Sequence, residues 1–258
     1  MNDAISNQAQ DHPRPPGLVG LVVSLVAITL IGLLALALAM SIVALADYLL
    51  FGWPHLRDSI KDGLAMTQGD RMDDVITAGL FIGCAIYIAG IFGLWAMARI
   101  RAGRAWPQLL GWTPFRVDRT FWTLLAAGVA YQLGASLVVA WLHPASRQWL
   151  SLPDSPLGLA LAFALIVVLA PVAEELLFRG WIYTALRWRF GFTAALWATA
   201  IIFALAHWDP THLYALAILP IGLALGYLRE RTGSARATTL FHMLYNFAGL
   251  GLSFLGKL

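Results

Sequence analysis

Charge is what this sequence has least of. Asp, Glu, Lys and Arg make up 12% of its 258 residues, where a soluble domain carries about a quarter. Glutamate occurs only at Glu174, Glu175 and Glu230. The single cysteine, Cys84, excludes an intramolecular disulfide and any cysteine-based zinc site. The formal net charge of +3 is spread over connectors without a basic cluster, which excludes nucleic acid as a partner. No internal repeat or low-complexity array is present, and no stretch reads as a separate soluble domain.

What the chain does have is apolar length. It is 60% hydrophobic with a mean hydropathy of +0.73. From Gly17 to Ala46 no residue is charged, a run longer than the roughly 20 apolar residues a spanning helix needs. That run is too long for a signal peptide, and its leader sets Asp3 and Asp11 beside Arg14, so it reads as a retained first helix. Apolar segments are expected at 18–46, 75–98, 120–142, 157–183, 192–206, 213–228 and 238–255. The expected fold is all-α: a polytopic membrane bundle of about seven transmembrane helices, or eight. Residues 1–17 read as a disordered cytosolic tail, 18–150 as N-terminal transmembrane helices with connectors, and 151–258 as the functional helical bundle. The stretch "HLRDSIKDGL" sets Leu56, Ile60 and Leu64 on one helical face, as a surface-lying helix or a plain loop would.

The basic residues orient the spans. Eleven Lys and Arg fall on the side that holds the N-terminus and five on the other, which predicts a cytoplasmic N-terminus. Trp53, Trp95, Trp106, Trp122, Trp141 and Trp149 fall near span ends, where an interfacial aromatic belt lies.

Against this background the stretch "PVAEELLFRG", from Pro171, stands out. An ionisable side chain in a span costs about 2.5–3.5 kcal/mol for Asp, Lys or Arg unless it is paired or lines a wet cavity. Glu175 and Arg179 are four apart with the acid first, the favoured order for a helical ion pair. Glu174 is turned by about 100° from Glu175 and has no such partner in its own helix. Pro171 removes a backbone donor just before the acids. Two other spans hold matching polar residues: Phe203 and His207 in "FALAH", and His242 and Asn246 in "HMLYN". A free carboxylate, two imidazoles and a carboxamide can activate water and stabilise an oxyanion. Glu174, His207 and His242 equally make up a catalytic zinc set with one open position, so Zn2+ is the cofactor to weigh. His12, His55, His143 and His212 lie in tails, loops or span ends and carry no such signal. No H-E-x-x-H occurs, which excludes a zincin helix.

Glu174-Glu175-x-x-x-Arg179, Phe203-x-x-x-His207 and His242-x-x-x-Asn246, in that order on separate spans, together resemble the CPBP family. These are the CAAX prenyl endopeptidases of the Ras-converting type and their bacterial relatives, including bacteriocin-processing and self-immunity proteins. The resemblance covers about 155–250 and extends to "FRG" and to "GYLRERTGS". It implies an intramembrane endopeptidase of metallo or glutamic type that cuts a peptide bond near the membrane surface. Glu174, assisted by His207, would activate water, and His242 and Asn246 would receive the oxyanion. Glu175, Arg179 and Phe203 would support them. The implied partners are a lipid bilayer and a peptide or protein substrate, prenylated or a bacteriocin-like leader. The implied location is a bacterial inner membrane. The alternatives are a catalytically idle adaptor or self-immunity protein, and a proton-coupled transporter with Glu174 as relay, against which the absence of inverted repeats counts. For the three motifs to meet, a helix must be tilted or broken, or the fourth span must extend past the membrane to Arg187.

Overall fold

The computed structural model describes residues 13–55, 57–58, 61, 72–142, 152–208 and 213–255. Among them all regular structure is helical. The possible surface helix through Ile60 and Leu64, and His12, His143, Trp149 and His212, lie outside the described residues. So does the expected tail apart from residues 13–17.

The order is α1 (Leu18–Phe51), α2 (Met72–Ala102), a 3-10 turn (Gly103–Ala105), α3 (Trp106–Leu109) and α4 (Arg119–Leu142). A long helical run follows: α5 (Pro156–Phe163), a π segment (Ala164–Leu169), α6 (Ala170–Glu175), a second π segment (Leu176–Ile182) and α7 (Tyr183–Ala206). Two more helices close the bundle, α8 (Leu213–Thr232) and α9 (Ala235–Leu255). Among the described residues four stretches are long and apolar enough to cross a membrane: 18–51, 73–109, 119–138 and 156–206.

The four stretches and the seven expected segments divide the same helices differently. One difference is that 157–183 and 192–206 fall in one apolar stretch, although a kink at Gly191 divides it into two helices beside the expected connector around Arg187 and Arg189. Gly191 makes that break at φ 83°, a left-handed conformation open to glycine and costly for a side chain. The other is that α8 and α9, at 20 and 21 residues, carry arginines, histidine and asparagine, and fall outside that set.

Small residues set the helix spacing, as expected where lipid rather than water surrounds a bundle. A Cβ on Gly93 would stand 3.0 Å from Ile31, and one on Gly32 would stand 3.8 Å from Ile86, so α1 and α2 lie close. In "GLALG" a Cβ on Gly222 would meet the Ala200 backbone at 3.2 Å, and one on Gly226 would meet Leu196 at 2.7 Å, which seats α8 on α7. The pattern in "GLFIG" is used at one end only: Gly83 faces Leu165, whereas Gly79 faces open space.

One end of the bundle is closed by polar contacts. Arg101 donates to the carbonyls of Arg14 and Pro15 at 2.9 and 3.0 Å, fastening the residues before α1 to α2. Arg187 grips Glu230, Arg231 reaches Asp118 at 2.9 Å, and Ser234 donates to the Thr113 carbonyl at 2.6 Å. Arg229 turns inward and packs so tightly on Gly111 that any Cβ there would overlap its guanidinium.

Candidate active site

The two neighbouring acids have different surroundings, as their 100° separation on a helix requires. Glu175 and Arg179 are fully buried and paired, Arg179 Nη1 donating to Glu175 Oε1 at 2.9 Å. Arg179 Nη2 donates to the Gly222 carbonyl at 3.1 Å, so the pair also fastens α8. The guanidinium lies 4.5 Å from the centre of the Phe203 ring, a cation–π contact. Phe203 is buried, and His207 and His242 lie against the same ring at 4.6 and 5.8 Å between centroids. It is the apolar post around which the polar residues stand.

Glu174 faces the other way. Its side chain is 14% exposed, and its Oε2 stands 4.0 Å from Nε2 of both His207 and His242. The three sequence motifs thus meet at one point. The second partner of each imidazole determines its orientation. His207 Nδ1 lies 2.8 Å from the Phe203 carbonyl, which can only accept, so the proton sits on Nδ1. His242 Nδ1 lies 3.1 Å from Glu175 Oε1, and the ionised carboxylate likewise only accepts. In the neutral form both rings therefore present an Nε2 lone pair to Glu174. This is the carboxylate- or carbonyl-backed histidine arrangement of hydrolytic sites.

Three lone-pair atoms facing one another need a proton donor or a cation between them. The donor types suit zinc. The spacing does not: ligand bonds of about 2.0–2.1 Å put tetrahedral ligands roughly 3.3 Å apart, and these stand at 4.0 Å. Among the described residues no group of three or more His, Cys, Asp and Glu is close enough to hold a metal ion. A water does fit, because two hydrogen bonds of about 2.8 Å meeting near a tetrahedral angle span roughly 4–4.6 Å.

Asn246 has a different position from the other three. Its Nδ2 donates to the Ile166 carbonyl at 2.9 Å, in the first π segment. There the Ala170 N–H bonds back to Leu165, five residues earlier, so in the same register the Ile166 carbonyl would wait for residue 171. Residue 171 is proline and has no N–H. Asn246 supplies the missing donor and keeps its second N–H. In the second π segment the Arg179 carbonyl is likewise met from outside, by Arg229 Nε at 3.0 Å. These wide turns give the helix the departure from straightness that the meeting of the motifs requires.

One residue at the site has no sequence signal. Tyr87 on α2 donates its hydroxyl to Glu174 Oε1 at 3.0 Å. A lone tyrosine in a span matches no spacing rule, and only the fold brings it to the acid. An apolar groove opens between α7 and α8, lined by Ile201, Ala204, Leu205, Trp208, Leu216 and Leu219, with His207 outside its lining.

Residues 156–248 match the family described as Rce1-like, type II CAAX prenyl endopeptidase. The match begins at the first residue of α5 and contains Glu174, Glu175, Arg179, Phe203, His207, His242 and Asn246. The chain thus carries an Rce1-like domain among helices long and apolar enough to cross a membrane, and it is an integral membrane protein. Comparisons with curated proteins and with solved structures gave no match.

Proposed function

We propose, from an Rce1-like domain bearing this geometry, that the protein is an intramembrane endopeptidase in which Glu174 and His207 activate water. The observation that carries the reading is the convergence of Glu174 Oε2 with two backed imidazoles, each at 4.0 Å. A water between them has two protons for three acceptors. The third acceptor is satisfied when one imidazole also carries a proton on Nε2. His242 suits that role, since its Nδ1–H meets the Glu175 carboxylate and the positive ring would face an anion. His207, backed by a neutral carbonyl, is left as the base alongside Glu174.

The steps follow. Glu174 and His207 take a proton from water, and the water oxygen attacks the peptide carbonyl. The carbonyl oxygen becomes an oxyanion, received by His242 Nε2–H and the spare N–H of Asn246. The proton held by the Glu174–His207 pair passes to the leaving amine as the C–N bond breaks. Glu175, Arg179 and Phe203 hold this set without touching the substrate. No step is routed through zinc.

The substrate chemistry is that of the family, a prenylated C-terminal CAAX peptide, with a hydrophobic leader peptide as the other form. The apolar groove between α7 and α8 suits a greasy segment of either substrate. The N-terminus would lie in the cytoplasm, of a bacterial cell in this reading. The test is release of the C-terminal tripeptide from a prenylated CAAX reporter by purified protein, beside Glu174→Gln. Release by the wild type and none by the variant is expected. Equal release by both, or none by either, overturns the reading.

A further inference from the structure

We infer that Tyr87 is a positioning residue for the Glu174 carboxylate, holding Oε1 so that Oε2 is presented to His207 and His242. The inference rests on the peptidase reading above and adds a residue from outside the 156–248 match.

A carboxylate on a two-torsion stem can turn about its last bond, and then either oxygen could face the imidazoles. The structure divides the two oxygens. Oε1 accepts from the Tyr87 hydroxyl at 3.0 Å, and Oε2 faces both Nε2 atoms at 4.0 Å. A phenol donating to an ionised carboxylate is a strong hydrogen bond in a site shielded from water. It anchors one oxygen and leaves the other free to take a proton.

The backbone is arranged to deliver this hydroxyl. α2 runs alongside the chain from Ser155 to Glu174, with contacts at both ends and between. Thr77 Oγ1 lies 3.3 Å from Ser155 Oγ, and Cys84 Sγ lies 3.9 Å from the Leu161 carbonyl. Gly83 allows a close approach, since a Cβ there would stand 2.9 Å from Leu165 Cδ2. One helical turn beyond Gly83 is Tyr87, whose ring therefore starts near enough for its hydroxyl to reach Glu174. The rest of α2 from Val75 to Ala98 offers no other tyrosine, acid or base for this contact.

The test uses the purified full-length protein in detergent. Tyr87→Phe keeps the ring and removes the donor. On a prenylated CAAX reporter peptide, kcat should fall about tenfold or more with KM unchanged, because the lost bond orients a base and does not bind substrate. The infrared carboxylate band that disappears in Glu174→Gln should also change frequency in Tyr87→Phe. A purely packing role would leave that band where it is. An unmoved band, or an unchanged kcat, overturns the inference. If Tyr87→Phe does not fold, 3-fluorotyrosine at position 87 retains the hydroxyl with greater acidity, and the same band should again move; no movement overturns the inference. Failure of the peptidase reading looks different: Glu174→Gln would cut the reporter as well as wild type, while the band still moved in Tyr87→Phe.

Discussion

The two halves of this molecule use the same helices for different ends. From α1 through α4 the chain shows its large apolar side chains outward, Leu30, Leu34 and Phe92 among them, and its buried residues are apolar. From α5 onward the interior turns polar. Every buried polar or charged side chain among the described residues falls between Glu175 and His242. The helices differ accordingly. α1 runs unbroken for 34 residues, whereas the run that carries Glu174 is interrupted by two π segments and by Gly191. An apolar helix needs only its own hydrogen bonds in lipid. A helix that must aim two adjacent carboxylates at different partners has to depart from regular geometry, and other helices then satisfy the carbonyls it frees.

The sharpest way to break the comparison is at the polar centre itself. Glu174→Gln keeps the size of the side chain and removes the base, so reporter hydrolysis should fall by about 10²–10⁴-fold, the usual worth of a positioned acid–base group. Thermal unfolding in detergent should hardly change, since Glu174 is partly exposed and not the partner of Arg179. Arg179→Met should do the reverse. It strands the fully buried Glu175 carboxylate without its cation, and removing one partner of a buried pair costs about 3–5 kcal/mol. The measurement is the unfolding midpoint in detergent. A variant as stable as wild type would mean that the pair is not what makes a buried charge tolerable here.

How much of this could be read before the structure depends on the distance over which each signal acts. The Glu175–Arg179 pair was legible because the helix period alone puts residues four apart on one face. The meeting of Glu174, His207 and His242 was legible only as three motifs on three spans, and the need for a broken helix could be stated without its form. Pro171 pointed to the place. A π turn leaves no period in a sequence, so the two wide segments had no mark of their own. Tyr87 had none either, because its role depends on how α2 lies against α5 and α6. The seven expected segments and the four stretches marked by length and composition differ in part because 156–206 counts as one stretch, although a kink at Gly191 divides it beside the connector the hydropathy implied.

The role of Asn246 sharpens the comparison at smaller scale. If its amide replaces the N–H that Pro171 lacks, Asn246→Ala leaves the Ile166 carbonyl without a donor. The expected loss is about 1–3 kcal/mol of stability, seen as a lower unfolding midpoint. Pro171→Ala supplies a backbone N–H at the right place, so the double variant should recover part of that loss. Reporter hydrolysis should stay low in the double variant, because the second amide N–H proposed for the oxyanion is still missing. Recovery of both, or of neither, would show that the two duties of Asn246 are not separate.

The smallest effect lies outside the membrane, where the two halves are joined by a charge pair. Asp118 accepts from Arg231 on α8 at 2.9 Å and, with its other oxygen, from the Phe121 N–H at the start of α4 at 3.0 Å. The Arg231 hydrogen bond first, and the Phe121 N–H after it, hold the Asp118 carboxyl below its ordinary value. A carboxyl whose pKa is lower folded than unfolded stabilises the fold above the unfolded value, about 3.9 for Asp, and loses that contribution as pH falls through the folded value. Asp118→Asn keeps an oxygen for the Phe121 N–H and turns an amide NH2, which cannot accept, toward Arg231, so the Arg231 hydrogen bond goes with the charge. Its unfolding midpoint should therefore lie slightly below wild type near neutral pH, and the gap should close in acid below that unfolded value. Salt should narrow the gap at neutral pH as well, since both partners are exposed and screened. A gap that persisted in acid would place the contribution of Asp118 in the helix cap, and the α4–α8 link would then be one of packing.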